Sequence, residues 1–203
     1  MPAPIEVLLL AAGRSTRMRG TNKLLLDIAG EPLLRRSARL WMDGGHDVLV
    51  VTGADDRAPR AALAGLPVRF CMNPAAIDGQ QGSVMAGLDA AGLERRALAI
   101  ALADQPLLAG EDIAALVDAL DGAGGGRIVV PRHDGRRGNP VLLPVGIAQR
   151  LRDDPALGPP RRFIDAHPDL VLWMDTDHAR YTTDLDTPED AARLGIACES
   201  EHP

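Results

Sequence analysis

Leu8-Leu9-Leu10-Ala11-Ala12-Gly13-Arg14-Ser15-Thr16-Arg17-Met18-Arg19-Gly20-Thr21-Asn22-Lys23 is the stretch that decides the fold. An apolar run, read as a strand over Ile5–Leu10, empties into a loop of small residues, three arginines and a lysine. Small residues let backbone N–H groups approach phosphate oxygens, because no Cβ bulk stands between them. Arg14, Arg17 and Lys23 bring the positive charge a triphosphate needs, and a guanidinium can grip two oxygens at once. The stretch reads as a phosphate-gripping loop at the C-terminal edge of a strand.

Spacing excludes two familiar phosphate loops. A Walker loop requires Gly-x-x-x-x-Gly-Lys followed by Ser or Thr, whereas Gly13 and Gly20 are seven apart and Leu24 follows Lys23. A dinucleotide fingerprint requires Gly-x-Gly-x-x-Gly on the first strand-to-helix turn, and Gly13 is the only glycine there.

Outward from this loop, short β-branched or leucine-rich runs alternate with amphipathic stretches. Strands are expected at Asp47–Thr52, Val68–Cys71, Ala97–Leu102, Arg127–Val130, Pro140–Leu143 and Leu170–Met174. Helices are expected at Pro32–Trp41, Arg57–Leu63, Gly82–Ala91, Asp112–Leu120, Gly146–Leu151, Arg162–Ala166 and Pro188–Leu194. Ala97–Leu102 is almost wholly apolar, the pattern of a strand buried on both faces. Alternation of this kind predicts a single α/β domain over residues 1–197, Rossmann-like, with a mostly parallel sheet flanked by helices. Residues 198–203 read as a tail.

Composition narrows the function. The chain has 203 residues and a net charge of −6, which opposes general attraction to nucleic acid or an anionic membrane. Aromatics make up only 2%, too few for the stacking platforms of single-stranded nucleic-acid binding. Cys71 and Cys198 have no metal spacing, and the histidines at 46, 133, 167, 178 and 202 make none either. No signal segment or membrane span is legible, so a reduced, cytoplasmic protein is expected.

Ligands of open α/β sheets bind beyond the carboxyl ends of the strands, so polar residues there carry the chemical reading. Asp104 directly follows the most apolar strand, where a carboxylate is rigid and aimed into the crevice; an N-cap role is the competing reading. Asp184 and Asp186 are two apart, so an extended segment turns both to one side. Thr187-Pro188-Glu189-Asp190 reads as a helix start, with Thr187 as cap. Asn73, Gly82 and Ser83 belong to a loop whose amide could read a nucleobase edge and whose serine could cap the next helix. Arg132–Val141 joins basic residues to glycines, which suits either a phosphorylated ligand or a plain Asp134-Gly135 hairpin.

Leu-Ala-Ala-Gly-x-Ser-x-Arg-Met followed by Asn-Lys-Leu-Leu resembles the opening signature of nucleotidyltransferases that activate phosphorylated compounds with a nucleoside triphosphate. Within them the chain looks most like the MobA-like group, which includes molybdenum cofactor cytidylyltransferases and guanylyltransferases, and nearest to the cytidylyltransferases. The resemblance implies an Mg2+-dependent enzyme, with Arg17, Lys23 and Asp104 catalytic. It implies nucleotide contacts from Leu10, Ala11, Ala12, Gly13, Arg14, Ser15, Lys23, Asn73, Gly82 and Ser83. It implies metal ligation by Asp104 and by Asp184 or Asp186, with Asp184 favoured.

Gly138-Asn139-Pro140-Val141 resembles the family's acceptor loop, and Arg162 is the matching basic residue further on. Gly158-Pro159-Pro160-Arg161-Arg162 departs from the Gly-Asp-x-Gly-Ala-Arg stretch of related cytidylyltransferases. Ala12, where guanylyltransferases carry a glycine, and Asp104-Gln105-Pro106 both point to CTP over GTP. The implied acceptor is a phosphorylated small molecule, molybdopterin bearing molybdenum, with a molybdoenzyme as partner. A sugar-phosphate or methylerythritol-phosphate nucleotidyltransferase stays open, as does a non-catalytic accessory protein for molybdoenzyme assembly.

Overall fold

The computed structural model describes residues 3–13, 15–18, 20–74 and 79–197. Arg14 and the tail 198–203 therefore lie outside the described residues. In chain order the elements are β1 (Glu6–Ala11), β2 (Asp27–Ile28), β3 (Glu31–Pro32), α1 (Leu33–Asp43), β4 (Asp47–Thr52), α2 (Arg57–Ala62) and β5 (Arg69–Met72). There follow α3 (Gln80–Ala90), β6 (Ala97–Leu102), α4 (Gly110–Gly122), β7 (Ile128–His133), β8 (Arg136–Arg137) and β9 (Val141–Pro144). The last are α5 (Val145–Asp153), α6 (Pro160–Ala166), β10 (Val171–Asp175) and α7 (Pro188–Arg193).

One sheet runs β10-β7-β9-β6-β1-β4-β5, with β8 attached to β7, and the chain is a single α/β domain. β1 lies inside it, parallel to β4 and to β6. The sheet is mostly parallel, as expected, with one reversal along its path: β9 runs antiparallel to both β6 and β7. The reversal follows from the connection. β7 returns through β8 over Asp134 (φ 48) and Gly135 (φ 74), the double positive φ of a tight hairpin turn, and no helix intervenes before β9.

Alternation along β1 sorts the core into two layers. Val7 and Leu9 face one side, packing with Leu34, Ala38 and Trp41 of α1 and with Ile113, Leu116 and Val117 of α4. Leu8 and Leu10 face the other, against Val84 and Leu88 of α3, Leu151 of α5 and Phe163 of α6. Leu33, Leu34, Ser37, Ala38 and Trp41 form the buried stripe of α1, the spacing an amphipathic helix requires. The helix stops at Gly44, and Gly45 takes a φ of +80.

Some boundaries differ from expectation. Pro32 sits outside α1 as its N-cap and belongs to the small β2–β3 hairpin, which sequence reading passed over. α3 begins at Gln80 with Gly79 as its N-cap, so Ser83 lies inside the first turn and does not cap the helix. Glu6 is a carboxylate inside an apolar strand. It is buried, paired with Arg69, and accepts hydrogen bonds from the backbone of Gly92 (3.1 Å) and Leu93 (2.8 Å).

A third, small cluster positions the site. Met18, Leu26, Leu33, Leu185 and Ala191 pack together beneath the first loop. This holds the loop after β1 against the segment leading into α7, two stretches far apart in the chain.

Candidate active site

Five charged side chains converge at the C-terminal edge of β1 and β6. Lys23 opens a 3-10 turn, and two side chains fix its backbone. Asn22 Oδ1 accepts from the Leu24 N–H at 3.1 Å, and Ser15 Oγ accepts from the Lys23 N–H at 3.2 Å. Ser15 adopts a φ of 49, which folds the loop back on itself. The buried Lys23 side chain then donates from Nζ to Asp104 Oδ2 at 2.5 Å and to Asp186 Oδ1 at 2.8 Å. Arg17 Nη2 meets the other oxygen of Asp186 at 2.8 Å.

Asp104 stands in a turn right after β6, and helix α4 starts only at Gly110. It is therefore not an N-cap. Its main-chain carbonyl accepts from the Leu185 N–H at 2.8 Å, which sets Asp184 beside it. α7 secures the same segment from below: Thr187 Oγ1 accepts from Asp190 N at 3.1 Å, and Asp190 Oδ2 accepts from Thr187 N and Asp186 N. The expected capping at Thr187 is present.

The electrostatics follow from this crowding. Burial and the neighbouring Asp104 and Asp186 push the Asp184 carboxyl up to about 6. Burial alone would lower the Lys23 ammonium, but Asp104 and Asp186 outweigh it and its pKa rises. Asp186 is partly buried, yet its bonds from Lys23 and Arg17 bring it below the usual carboxylate range.

Asp104 Oδ1 and Asp184 Oδ1 are buried and have no hydrogen-bond partner. Carboxylate oxygens left without donors on two residues that line one polar cleft are the donor type that Mg2+ takes. The residues present fit a magnesium ion held by Asp104 and Asp184. Both oxygens of Asp186 are already engaged by cations. Among the described residues, no wider cluster of three or more metal-ligating side chains is present.

Three clefts open around this constellation. The first, about 380 Å³, is lined by Leu10, Ala12, Gly13, Arg17, Gly79, Gln80, Ser83, Leu102, Asp104, Asp184 and Asp186. A second, about 580 Å³, lies against the same loop and includes Ala11, Ala12, Gly13, Ser15, Asn22, Gly53 and Pro74. Asn73 is buried behind it, donating from Nδ2 to Ser83 Oγ at 3.2 Å. Gly82 sits inside the first turn of α3.

The third cleft, about 160 Å³, is lined by Gln80, Gln81, Val84, Ile100, Arg137, Gly138, Asn139, Val141, Pro160, Arg161 and Ile164. Gly138 and Asn139 thus reach a cleft, and Pro140, joined to Asn139 by a cis bond, is buried beside them. Arg162 is exposed and packs near Gly158, while Arg137 and Arg161 line the cleft. On α6, neighbouring residues point in different directions: Arg161 lines the cleft, and Arg162, the residue the resemblance implies, does not.

Sequence reading gave neither Gln105, seen there only within the Asp104-Gln105-Pro106 motif, nor Gln81 a contact of its own. Gln105 Nε2 donates to the carbonyl of Tyr181 at 2.9 Å, and the same carbonyl accepts from Asn139 N at 2.9 Å. Gln81 Oε1 is buried without a partner beside the third cleft.

Comparison with known proteins places the chain in a family. Residues 7–171 match the MobA-like NTP transferase domain. The chain belongs to that family. A nicotine blue oxidoreductase of Paenarthrobacter nicotinovorans is 31% identical, over 92% of this chain and 94% of its own length. A probable molybdenum cofactor guanylyltransferase of Natronomonas pharaonis is 35% identical over 56% of this chain and 55% of its own, so the match spans about half of that relative. A solved nucleotidyl transferase from Methanothermobacter thermautotroptrophicus shares the fold, with a TM-score of 0.76 at 20% identity over 94% of this chain and 95% of that one. Among the described residues, this MobA-like nucleotidyltransferase has no helix long and apolar enough to cross a membrane.

Proposed function

We propose that this protein transfers CMP from CTP to molybdenum-loaded molybdopterin, releasing pyrophosphate. The observation that carries this reading is the pair of unpartnered oxygens on Asp104 and Asp184, set beside Lys23 and Arg17 where the loop after β1 opens into the clefts. Such a set matches the charge that develops when a triphosphate is split.

A phosphate oxygen of the acceptor attacks the α-phosphorus in line, forming a new P–O bond as the bond to the β-phosphate breaks. A phosphate is already a nucleophile, so positioning and charge neutralisation do the work and no strong general base is required. Asp104 and Asp184 would hold Mg2+, which supplies charge neutralisation at the phosphate oxygens when bound. Lys23 and Arg17 stabilise the departing pyrophosphate. Ala11–Gly13 and Ser15 supply the backbone that approaches the nucleotide, and Gly138, Asn139 and Arg161 border the acceptor.

Cytidine is favoured by Ala12, whose methyl narrows the space beside the base. One methyl discriminates by only about 1–3 kcal/mol, so the rest of the pocket shares the choice. The test is pyrophosphate release from CTP and from GTP with molybdenum-loaded molybdopterin, with an Asp104→Ala control. Release with CTP that disappears in the control supports the reading. Nucleotide binding without release sends the search to sugar-phosphate or methylerythritol-phosphate acceptors, or to a non-catalytic accessory role.

The near full-length match to the nicotine blue oxidoreductase favours a second reading, an oxidoreductase on the same fold. A nicotinamide dinucleotide carries the pyrophosphate that such a loop suits. Hydride transfer, however, gives no role to unpartnered carboxylates at the phosphate site. Loss of nicotinamide absorbance with an added acceptor dye, in the absence of any pyrophosphate release, would favour this second reading.

A further inference from the structure

We infer that Lys23 occupies the charge position of the divalent cation and must leave it before metal and nucleotide can bind together. The inference rests on the metal-dependent reading above and adds an order to it. Lys23 Nζ lies 2.5 Å from Asp104 Oδ2 and 2.8 Å from Asp186 Oδ1, bridging two carboxylates that start far apart in the chain. Its side chain is only 9% exposed, so the ammonium has little water to fall back on and depends on those oxygens. The opposite oxygen of Asp104 is the buried, unpartnered one. A cation arriving at that oxygen and at Asp184 Oδ1 meets the ammonium already bound to the same carboxylate.

Two like charges on one partly buried carboxylate repel each other, because the protein around them screens less than water does. Lys23 then needs another anion. Asp186 cannot take it fully, since its second oxygen is held by Arg17 at 2.8 Å. The phosphates of a nucleotide can. The lysine therefore swings from Asp104 to phosphate as the metal settles, and the loop binds metal and nucleotide cooperatively. Asp186 acts here as a positioning residue: it keeps Lys23 and Arg17 near the phosphate path in the resting state.

The test uses Mn2+ as the metal probe on the full chain, read by loss of the free-ion paramagnetic signal and without nucleotide. Lys23→Met keeps the apolar stem packed and removes the charge. It should bind Mn2+ at least tenfold tighter than the parent protein, while its affinity for CTP in chelator falls at least tenfold. Unchanged or weaker Mn2+ binding in a folded Lys23→Met variant overturns the proposal. The metal arm needs neither turnover nor CTP binding, so a wrong choice of nucleotide leaves it readable.

Crystals of the parent protein soaked in Mn2+ give a reading that does not depend on the variant folding. With the ion on Asp104 and Asp184, Lys23 Nζ should have left Asp104. An ion seated there with the Lys23–Asp104 bond intact overturns the proposal, as does a site that stays empty when CTP is soaked in with the Mn2+; an ion that enters only with CTP supports it.

Discussion

The side-chain amide of Gln105 donates to the main-chain carbonyl of Tyr181 at 2.9 Å, tying the turn that carries Asp104 to the segment that carries Asp184. The same amide also lowers the Asp184 pKa by hydrogen bonding, against the larger upward push of burial. Gln105→Leu keeps the buried volume and removes the donor. Tyr181 O retains the Asn139 N–H, so the stability cost should be about 1 kcal/mol, the net worth of one ordinary hydrogen bond. The carboxylates lose their spacing, and turnover should fall roughly tenfold, more than the stability change explains. Thermal melts run beside pyrophosphate release check this. Equal and small effects on both would reduce Gln105 to a packing residue.

Gly138 approaches that same carbonyl. A Cβ at position 138 would lie 2.6 Å from Tyr181 O and 3.0 Å from Tyr181 C, both backbone atoms with no room to move. Gly138→Ala should therefore destabilise the fold by about 1–3 kcal/mol through overpacking. Because Asn139 N also bonds to Tyr181 O, the displaced loop should raise the KM for the acceptor more than that for the nucleotide. Comparing the two KM values in the folded variant decides it. A uniform loss in both would place the effect on stability alone.

The alternation of strands and helices was legible because each element repeats a local period. Asp47–Thr52 and Ala97–Leu102 coincide with the observed β4 and β6. The reversed β9 was not legible, since strand direction depends on the connection and leaves no mark on the strand's own residues. The loop after β1 and the carboxylates at 104, 184 and 186 stood out as chemistry-bearing types at strand ends. What joins them is tertiary: the Leu185 N–H on the Asp104 carbonyl, the bridge from Lys23, and the packing of Met18 on Leu185. Gln105 and Arg161 were legible only as members of their motifs, without the contacts they make, because a side chain's direction on a turn or a short helix is set by neighbours distant in sequence.

Ala12 tests the choice of base. It lines both clefts that meet at the loop after β1. Ala12→Gly should raise kcat/KM for GTP relative to CTP by about 10-fold, at the lower end of what one methyl discriminates. A ratio that does not move would mean that Ala12 does not touch the base and that the selectivity lies elsewhere in the cleft.

Asp184 sets a pH dependence whose sign can be worked out. Its carboxyl is pushed up to about 6 in the folded protein, against 3.8 for an ordinary aspartate, so the folded state holds the proton more tightly than the unfolded one. The charged form is thus a penalty on the metal-free fold, fully present above pH 6 and relieved as pH falls toward 4. About two pKa units correspond to roughly 3 kcal/mol at pH 8, and about half of that remains at pH 5. Asp184→Asn removes the charge. In chelator it should raise the melting temperature by roughly 5–10 °C at pH 8 and by about half as much at pH 5. Divalent cations should stabilise the parent protein at pH 8, lose that effect as pH drops below 6, and fail to stabilise the variant at either pH. A variant that melts lower than the parent at pH 8 would show that the contacts of the Asp184 carboxylate, the bond from Gln105 among them, outweigh its charge penalty, and so that it is not held ready for a cation.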